Sequence, residues 1–231
     1  MAKRSKNYKK ALELSGTQGE YALEKAVSVV KKSGYAKFDE SVDISLKLGV
    51  DPKHSEQMVR GIVVLPHGTG KKKKVCVIAS GEKMKEAEEA GADYVGGEDL
   101  IEKISKGWID FDVVVATPDM MRSVSKLGRI LGTKGLMPNP KAGTVTFDIK
   151  NAVEETKAGR IEFRVDKTAI INSSVGRVSF PEKKLVDNVQ TFLRAILQAK
   201  PPGAKGKYIK SIHISSTMGP SVRISEGVLE K

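Results

Sequence analysis

The stretch Pro66-His67-Gly68-Thr69-Gly70, followed by four lysines from Lys71 to Lys74, divides the chain into segments written in different periods. Turn-forming residues and a run of like charge bury nothing, so the stretch reads as a boundary. Upstream of it, Leu23, Ala26, Val27 and Val30 recur at helical spacing, with Gly34 as a C-terminal stop. Val42, Ile44, Leu46 and Leu48 then alternate with Asp43, Ser45 and Lys47, which predicts a strand with one wet face. Pro52 ends that region, and a second apolar run covers Gly61 to Leu65. Residues 1 to 18, rich in Lys, Ser and Gly, read as a loosely held arm.

Downstream the grammar changes. Val75 to Ala79 reads as a buried strand, Glu82 to Ala90 as a helix, Asp93 to Val95 as a strand and Leu100 to Ser105 as a helix. Asp112 to Ala116 reads as another strand and Pro118 to Leu131 as a further helix. Strands alternating with helices predict a parallel sheet covered on both sides. Residues 132 to 143 (GTKGLMPNPKAG) are too rich in Gly and Pro for a regular element.

The first style returns after Gly159. Ile161, Phe163 and Val165 oppose Glu162 and Arg164, and a turn near Asp166 to Thr168 leads into a strand from Ala169. Pro181 takes a first-turn position, with Leu185, Val189, Phe192, Leu193 and Ile196 following at helical spacing. Pro201, Pro202 and Gly203 stop that helix, and a last strand runs from Tyr208 to Ser216. Neither flank alone has enough elements to close a core. The expected fold is therefore α/β: a discontinuous α+β domain from residues 1–67 and 160–231, with a split β-α-β arrangement of two helices on an antiparallel sheet. Residues 68–159 are expected to form an inserted, Rossmann-like three-layer domain.

The formal net charge is +12, and its distribution matters more than its size. Residues 1–67 hold 12 basic and 8 acidic side chains, residues 160–231 hold 13 and 6, and residues 68–159 hold 15 and 14. The attraction for a polyanion such as RNA thus belongs to the two ends. No apolar run approaches the roughly eighteen residues of a membrane span, and MAKRSKNYKK has no apolar signal core, so a cytoplasmic protein without a membrane partner is expected.

Catalytic and cofactor motifs are largely missing. Gly68-Thr69-Gly70-Lys71 resembles a phosphate loop only in part: Leu65 stands where the first glycine is needed, and Lys72 where a magnesium-binding hydroxyl is needed. No G-x-G-x-x-G follows the first strand of the insert and no Gly-x-Ser-x-Gly elbow is present. His54, His67 and His213 lack metal-ligand spacing, and the single Cys76 lies in an apolar run as a packed thiol. Asp110, Asp112 and Asp119 flank a strand end, where catalytic acids can sit in open α/β sheets but where ordinary acids are commoner.

Two groups of residues suit RNA. Lys37-Phe38 offers a cation beside an aromatic, fit for a phosphate and a stacked base, although Phe38 reads equally well as core. Ser215-Ser216-Thr217-Met218-Gly219-Pro220 runs hydroxyls into a Gly-Pro turn, which suits close approach to a ribose and equally suits a plain turn.

The stretch Leu127-Gly128-Arg129-Ile130-Leu131-Gly132-Thr133-Lys134-Gly135-Leu136-Met137-Pro138-Asn139-Pro140-Lys141 resembles the signature of the ribosomal protein L-one family, the stalk protein of the large ribosomal subunit. Thr217-Met218-Gly219-Pro220-Ser221 resembles the family's second hallmark, and the likeness extends over nearly the whole chain. Thr133 departs from a common proline, and Ala169 from a common glycine. The resemblance implies a non-enzymatic protein, monomeric when free, with no cofactor, metal or small-molecule substrate. Its implied partners are the stalk region of 23S ribosomal RNA, exit-site tRNA whose deacylated form it helps release, and the messenger of its own operon, which it represses. It also implies RNA contacts at Lys37, Phe38, Arg164, Lys167, Thr168, Thr217, Met218 and Gly219. A hinge is implied near Pro66, Gly68 and Gly70 on one connection and Ala158 and Gly159 on the other. A nucleotide-dependent α/β enzyme and a free-standing RNA chaperone are the alternatives.

Overall fold

The computed structural model describes residues 4–16, 19–204, 206–225 and 227. In chain order the elements are α1 (Lys6–Ser15), β1 (Glu20–Tyr21), α2 (Leu23–Ser33), β2 (Ser41–Leu48), β3 (Arg60–Val64), β4 (Val75–Ile78), α3 (Glu82–Glu89), β5 (Tyr94–Gly96) and α4 (Glu98–Ser105). There follow β6 (Val113–Ala116), α5 (Met121–Val124), α6 (Gly128–Thr133), α7 (Ile149–Ala158), β7 (Arg160–Arg164), β8 (Ile170–Arg177), α8 (Glu182–Gln198), β9 (Ile209–Ser216) and β10 (Val222–Ile224). The chain divides into two compact units, Met1–Gly70 with Ile161–Lys231, and Lys71–Arg160. None of the helices is long and apolar enough to cross a membrane among the described residues.

The first unit is built on a five-stranded sheet of order β1-β10-β9-β2-β8. β2 lies antiparallel between β9 and β8, so its alternation decides what both faces carry. Val42, Ile44, Leu46 and Leu48 are buried against the apolar stripes of α2 and α8, including Val27, Val30, Leu185, Val189 and Phe192. Ser41, Asp43, Ser45 and Lys47 take the other face and stay partly or fully exposed, as period-two geometry requires. A bulge at Val42/Asp43 leaves Val175 outside the ladder. The buried Asn188 amide donates to the Val175 carbonyl at 2.8 Å.

That same amide also donates to the Gly68 carbonyl at 3.0 Å and accepts from the His67 N–H at 3.2 Å. Thr69 is buried, and a Cβ on Gly70 would meet Arg177 and Phe180 at 2.9 and 3.1 Å. The expectation that this stretch buries nothing is thus corrected at 67 to 70: Asn188 and the neighbouring ring seat these residues within the first unit.

The second unit is a three-stranded parallel sheet, β5-β4-β6, with β4 in the centre. Cys76, Ile78, Val114 and Ala116 pack with Leu100, Ile104, Val124, Leu127 and Leu131 on one face. Val75, Val77 and Val115 pack with Ala87, Ile149, Ala152 and Val153 of α3 and α7 on the other. Burial on both faces explains why these strands read as continuous apolar runs rather than alternating ones.

Several elements differ from expectation. Residues 6–15 of the expected arm are helix α1, while residues 1–3, 17 and 18 lie outside the described residues. Ser5 caps that helix by accepting from the Tyr8 N–H at 3.2 Å, and the Tyr21 hydroxyl donates to the terminal Ser15 and Gly16 carbonyls. These contacts satisfy ends that a lysine-rich helix would otherwise leave open. The single helix expected over 118 to 131 is a chain of 3-10 and α turns. Pro118 opens it, and Ser125 Oγ donates back to the Met121 carbonyl at 2.7 Å, a bond that bends helices. Helix α7, capped by Asp148, and the short β1 and β10 have no counterpart in the periodicity.

The turn before β8 carries the only positive-φ residue other than glycine among the described residues, Ala169 at φ 62°. Its carbonyl accepts from the Leu48 N–H at 2.9 Å, which holds the conformation in place. Left-handed backbone costs an L-residue about 1–2 kcal/mol, so Ala169→Gly is expected to raise stability by about 0.5–1 kcal/mol after glycine's own entropy cost. Urea denaturation checks this; a lower midpoint at unchanged slope would show that the Ala169 methyl contributes more by packing than it costs by strain.

Candidate nucleic-acid interface

The loop after α2 and the turn after β9 meet because β2 and β9 are paired in register, with Val42 opposite Ser216 and Asp43 opposite Ser215. Glu40 precedes β2 and is buried, 2% exposed. Its Oε1 accepts from the N–H groups of Tyr35 at 3.0 Å and Ala36 at 2.8 Å, and its Oε2 from the Met218 N–H at 3.1 Å. Burial pushes this carboxyl up, but the Ser216 hydroxyl and the Ala36, Met218 and Tyr35 amides together push it further down. The net result lies below the usual carboxylate range. Tyr35 adds a second tie by donating its hydroxyl to the Met218 carbonyl at 2.9 Å.

The neighbouring contacts complete the lock. The Ser41 N–H donates to Thr217 Oγ1 at 3.0 Å, the two hydroxyls share a 2.9 Å bond, and the Thr217 N–H donates to the Ser41 carbonyl at 3.1 Å. A Cβ on Gly219 would lie 2.4 Å from Ser216 Oγ, so any other residue would have to displace the hydroxyl that accepts from the Gly219 N–H. On the other side, Asp39 accepts from the Ser179 N–H and hydroxyl, and its carbonyl accepts from Arg177.

The locked loops leave apolar groups in solvent. Phe38 is 56% exposed and Met218 49%, with Lys37 exposed beside Phe38. Of the two readings open for Phe38, the core one is excluded. The hydroxyl of Thr217 is mostly committed to Ser41, so its first role is to shape the turn.

Arg164, Lys167 and Thr168 are exposed but stand elsewhere. The register pairs Ser41 with Arg177 and Lys47 with Ile170, which puts the 164–168 turn at the far end of β2. At about 3.3 Å per residue the two groups are separated by roughly 25 Å. Thr168 spends its hydroxyl and N–H on Asp166 Oδ1, and these bonds with the Ile170 N–H hold the Asp166 carboxyl below its ordinary value.

Between the ends runs a face rich in short polar side chains. Asp43 sits between Ser174 and Ser215, Ser45 between Asn172 and His213, and Lys47 between Ile170 and Ser211. Burial, with Arg223 nearby, holds the His213 imidazole below its ordinary value. Short hydroxyls at the wet positions of three adjacent strands give a flat surface of donors and acceptors. Their alternation with apolar residues was visible in the chain, but their meeting across strands was not. Glu40, Tyr35 and Asp39 gave no signal of their own.

A family model for the ribosomal protein L1p/L10e family matches residues 29–220. The chain belongs to that family. The match spans both Lys37-Phe38 and the Thr217 turn as well as the whole second unit. As an L1p/L10e protein the chain binds ribosomal RNA as a structural component of the large ribosomal subunit, and it is not an enzyme.

The Glu40 lock has a direct test. Gln in its place has one acceptor oxygen for donors that now occupy two, and its NH2 group would face an N–H. Glu40→Gln is expected to lower stability by about 1–3 kcal/mol at neutral pH. Because the Glu40 carboxyl is depressed in the folded state, its contribution is complete above the unfolded value of about 4.3 and is lost as pH falls through the lower folded value. The variant's acid-side decline should therefore be shallower, measured by denaturation across pH; parallel curves would remove Glu40 from this role.

Proposed function

We propose that the loop pair carrying Lys37, Phe38, Thr217, Met218 and Gly219 is the principal ribosomal RNA contact, at the mobile stalk region of 23S RNA. The observation that carries this is the solvent exposure of Phe38 and Met218 on loops held rigid by polar bonds. Exposed apolar groups cost free energy in water, and a fixed position lets them stack on unpaired bases without an ordering cost. The hydroxyl-rich sheet face reads ribose groups along the way, and Arg164, Lys167 and Thr168 take a separate point on the RNA backbone. This divides shape recognition from charge attraction, as RNA-binding surfaces commonly do.

Within the subunit, this placement beside the exit site assists release of deacylated tRNA. The same surface represses translation of the protein's own operon messenger when that messenger carries a similar fold. Movement between the units is placed at Ala158–Gly159 and at the lysines after Gly70. Gly159 supports this as a left-handed helix cap at φ 113°, while Pro66, Gly68 and Gly70 serve as its anchored side.

Phe38→Ala is expected to weaken binding to a 23S stalk fragment by about 1–3 kcal/mol, the scale of one base–aromatic stack. Its stability should hardly change, since the ring is exposed. Lys167→Ala should act instead through the salt slope, reducing it by about one. Fluorescence anisotropy over a salt series separates the two, and a Phe38→Ala chain that binds the fragment with full affinity would reject the proposed contact.

A further inference from the structure

The second unit carries little net charge, but the charge is segregated. Residues 118–141 hold five basic side chains and one acidic, whereas residues 71–117 with 142–160 hold 11 basic and 13 acidic. Within that basic stretch Val124, Leu127 and Leu131 are buried, and Arg122, Lys126, Arg129 and Lys134 are exposed. Along the successive turns of α5, the 3-10 turn at 125–127 and α6, the exposed cations at 122, 126 and 129 alternate with the buried side chains at 124, 127 and 131, which leaves the cations as a stripe on the solvent side. Among the described residues none of these four cations enters an ion pair. The nearby hydroxyls turn inward, Ser125 to the Met121 carbonyl and Thr133 to those of Arg129 and Ile130. The solvent face is therefore left with positive charge that no ion pair takes up among the described residues.

Glycines flank this face without a reason in the fold. Gly128 has an ordinary helical φ of −53°, and Gly132 lies inside α6 without a positive φ. A Cβ at either position would meet nothing within 4 Å. Glycine is the weakest helix former after proline, so neither conformation nor packing accounts for these two. Close approach of another polymer's backbone would.

We propose that the exposed face of residues 122–134 binds the phosphate backbone of RNA, a second contact that rests on the RNA-binding reading above but uses none of its residues. Charge complementarity commits it to a polyanion. The stripe from Arg122 to Arg129 extends roughly 10–14 Å at 1.5–2.0 Å per residue for mixed α and 3-10 turns, long enough for a few successive phosphates of one strand. The bare glycine backbone beside it admits a sugar-phosphate chain more closely than side-chain-covered helix would.

The test uses the full chain and a mixed-sequence RNA duplex, with binding measured over a salt series. Replacing Arg122, Lys126 and Arg129 together by Ala should reduce the slope of log affinity against log salt by about two to three, at roughly 0.9 per phosphate contact. Affinity at low salt should fall at least about tenfold while the melting temperature stays unchanged, because these side chains are exposed and unpaired. An unchanged slope overturns the proposal. Gly128→Ala with Gly132→Ala should raise the melting temperature yet weaken duplex binding; a stabilised chain with full affinity also overturns it. Phe38→Ala with the stalk fragment, run in parallel, reports on the other contact, so a stripe variant without effect beside a Phe38→Ala chain that loses binding fails this inference alone. Poly-glutamate that binds the wild type as tightly as the duplex, and is lost by the triple variant, would assign the stripe to an acidic protein instead.

Discussion

A carboxylate taken out of water must find donors before the segments around it can settle, and Glu40 finds them in two parts of the chain far apart in sequence. Tyr35 and Ala36 supply N–H groups from the loop before β2, and Met218 supplies one from the turn after β9. Such charge-assisted bonds to backbone are strong because the donors are fixed and the acceptor is ionised. Polar locking has a consequence that apolar locking would not. A loop fastened by burying its aromatic has no aromatic left to offer; one fastened through a carboxylate can leave Phe38 and Met218 in solvent. The exposure of those two side chains thus depends on Glu40, together with the Asp39 contacts to Ser179 on the opposite side.

How much of this could be read in advance follows from which interactions are periodic. The alternation of Val42 to Leu48 and the helical spacing from Leu185 to Ile196 were legible because burial on one face repeats at a fixed interval. The strand-helix grammar of the second unit was legible for the same reason. Helix α1 was missed because it buries only Ala11 and Ser15 and owes its ends to Ser5 and Tyr21, contacts that no hydrophobic period records. Pro118 and Ser125 broke a helix whose apolar spacing looked continuous, since Val124, Leu127 and Leu131 still face the core. Glu40 could not be singled out at all. A buried acid looks like any surface glutamate until its donors are known, and here they are backbone amides. Phe38, with both outcomes open, was decided by the same unseen bonds.

The site residues implied by resemblance divide in the same way. Gly219 is explained by local space, Thr217 by its bonds to Ser41, and Thr168 by its bonds to Asp166. These residues have structural work that would preserve them whatever the partner. Phe38, Met218, Lys37, Arg164 and Lys167 have no such work in the fold. Exposed, and in the case of Phe38 and Met218 unfavourably so, they are the positions that the fold by itself does not explain.

Charge leads to a similar division at a coarser scale. Summing over the second unit gives nearly zero, which argues against a polyanion only if the charges are mixed on the surface. They are not fully mixed: Arg122, Lys126 and Arg129 stand exposed on one broken helical run, while α3 carries its acids against the opposite face of the sheet and α4 carries others beside the run. A field decays over about one Debye length, roughly 8 Å at physiological salt, so a ligand against Arg122, Lys126 and Arg129 responds to those side chains and hardly to the acids of α3 on the opposite face, while α4, which packs with the run on the same face, keeps its acids nearer. If RNA meets this face as well as the Phe38 surface, each contact raises the local concentration of RNA for the other. Two modest contacts on one chain then hold an RNA more firmly than either alone, provided the connection between the units lets both engage at once. The lysines after Gly70 and the left-handed cap at Gly159 would then matter to affinity without touching the ligand.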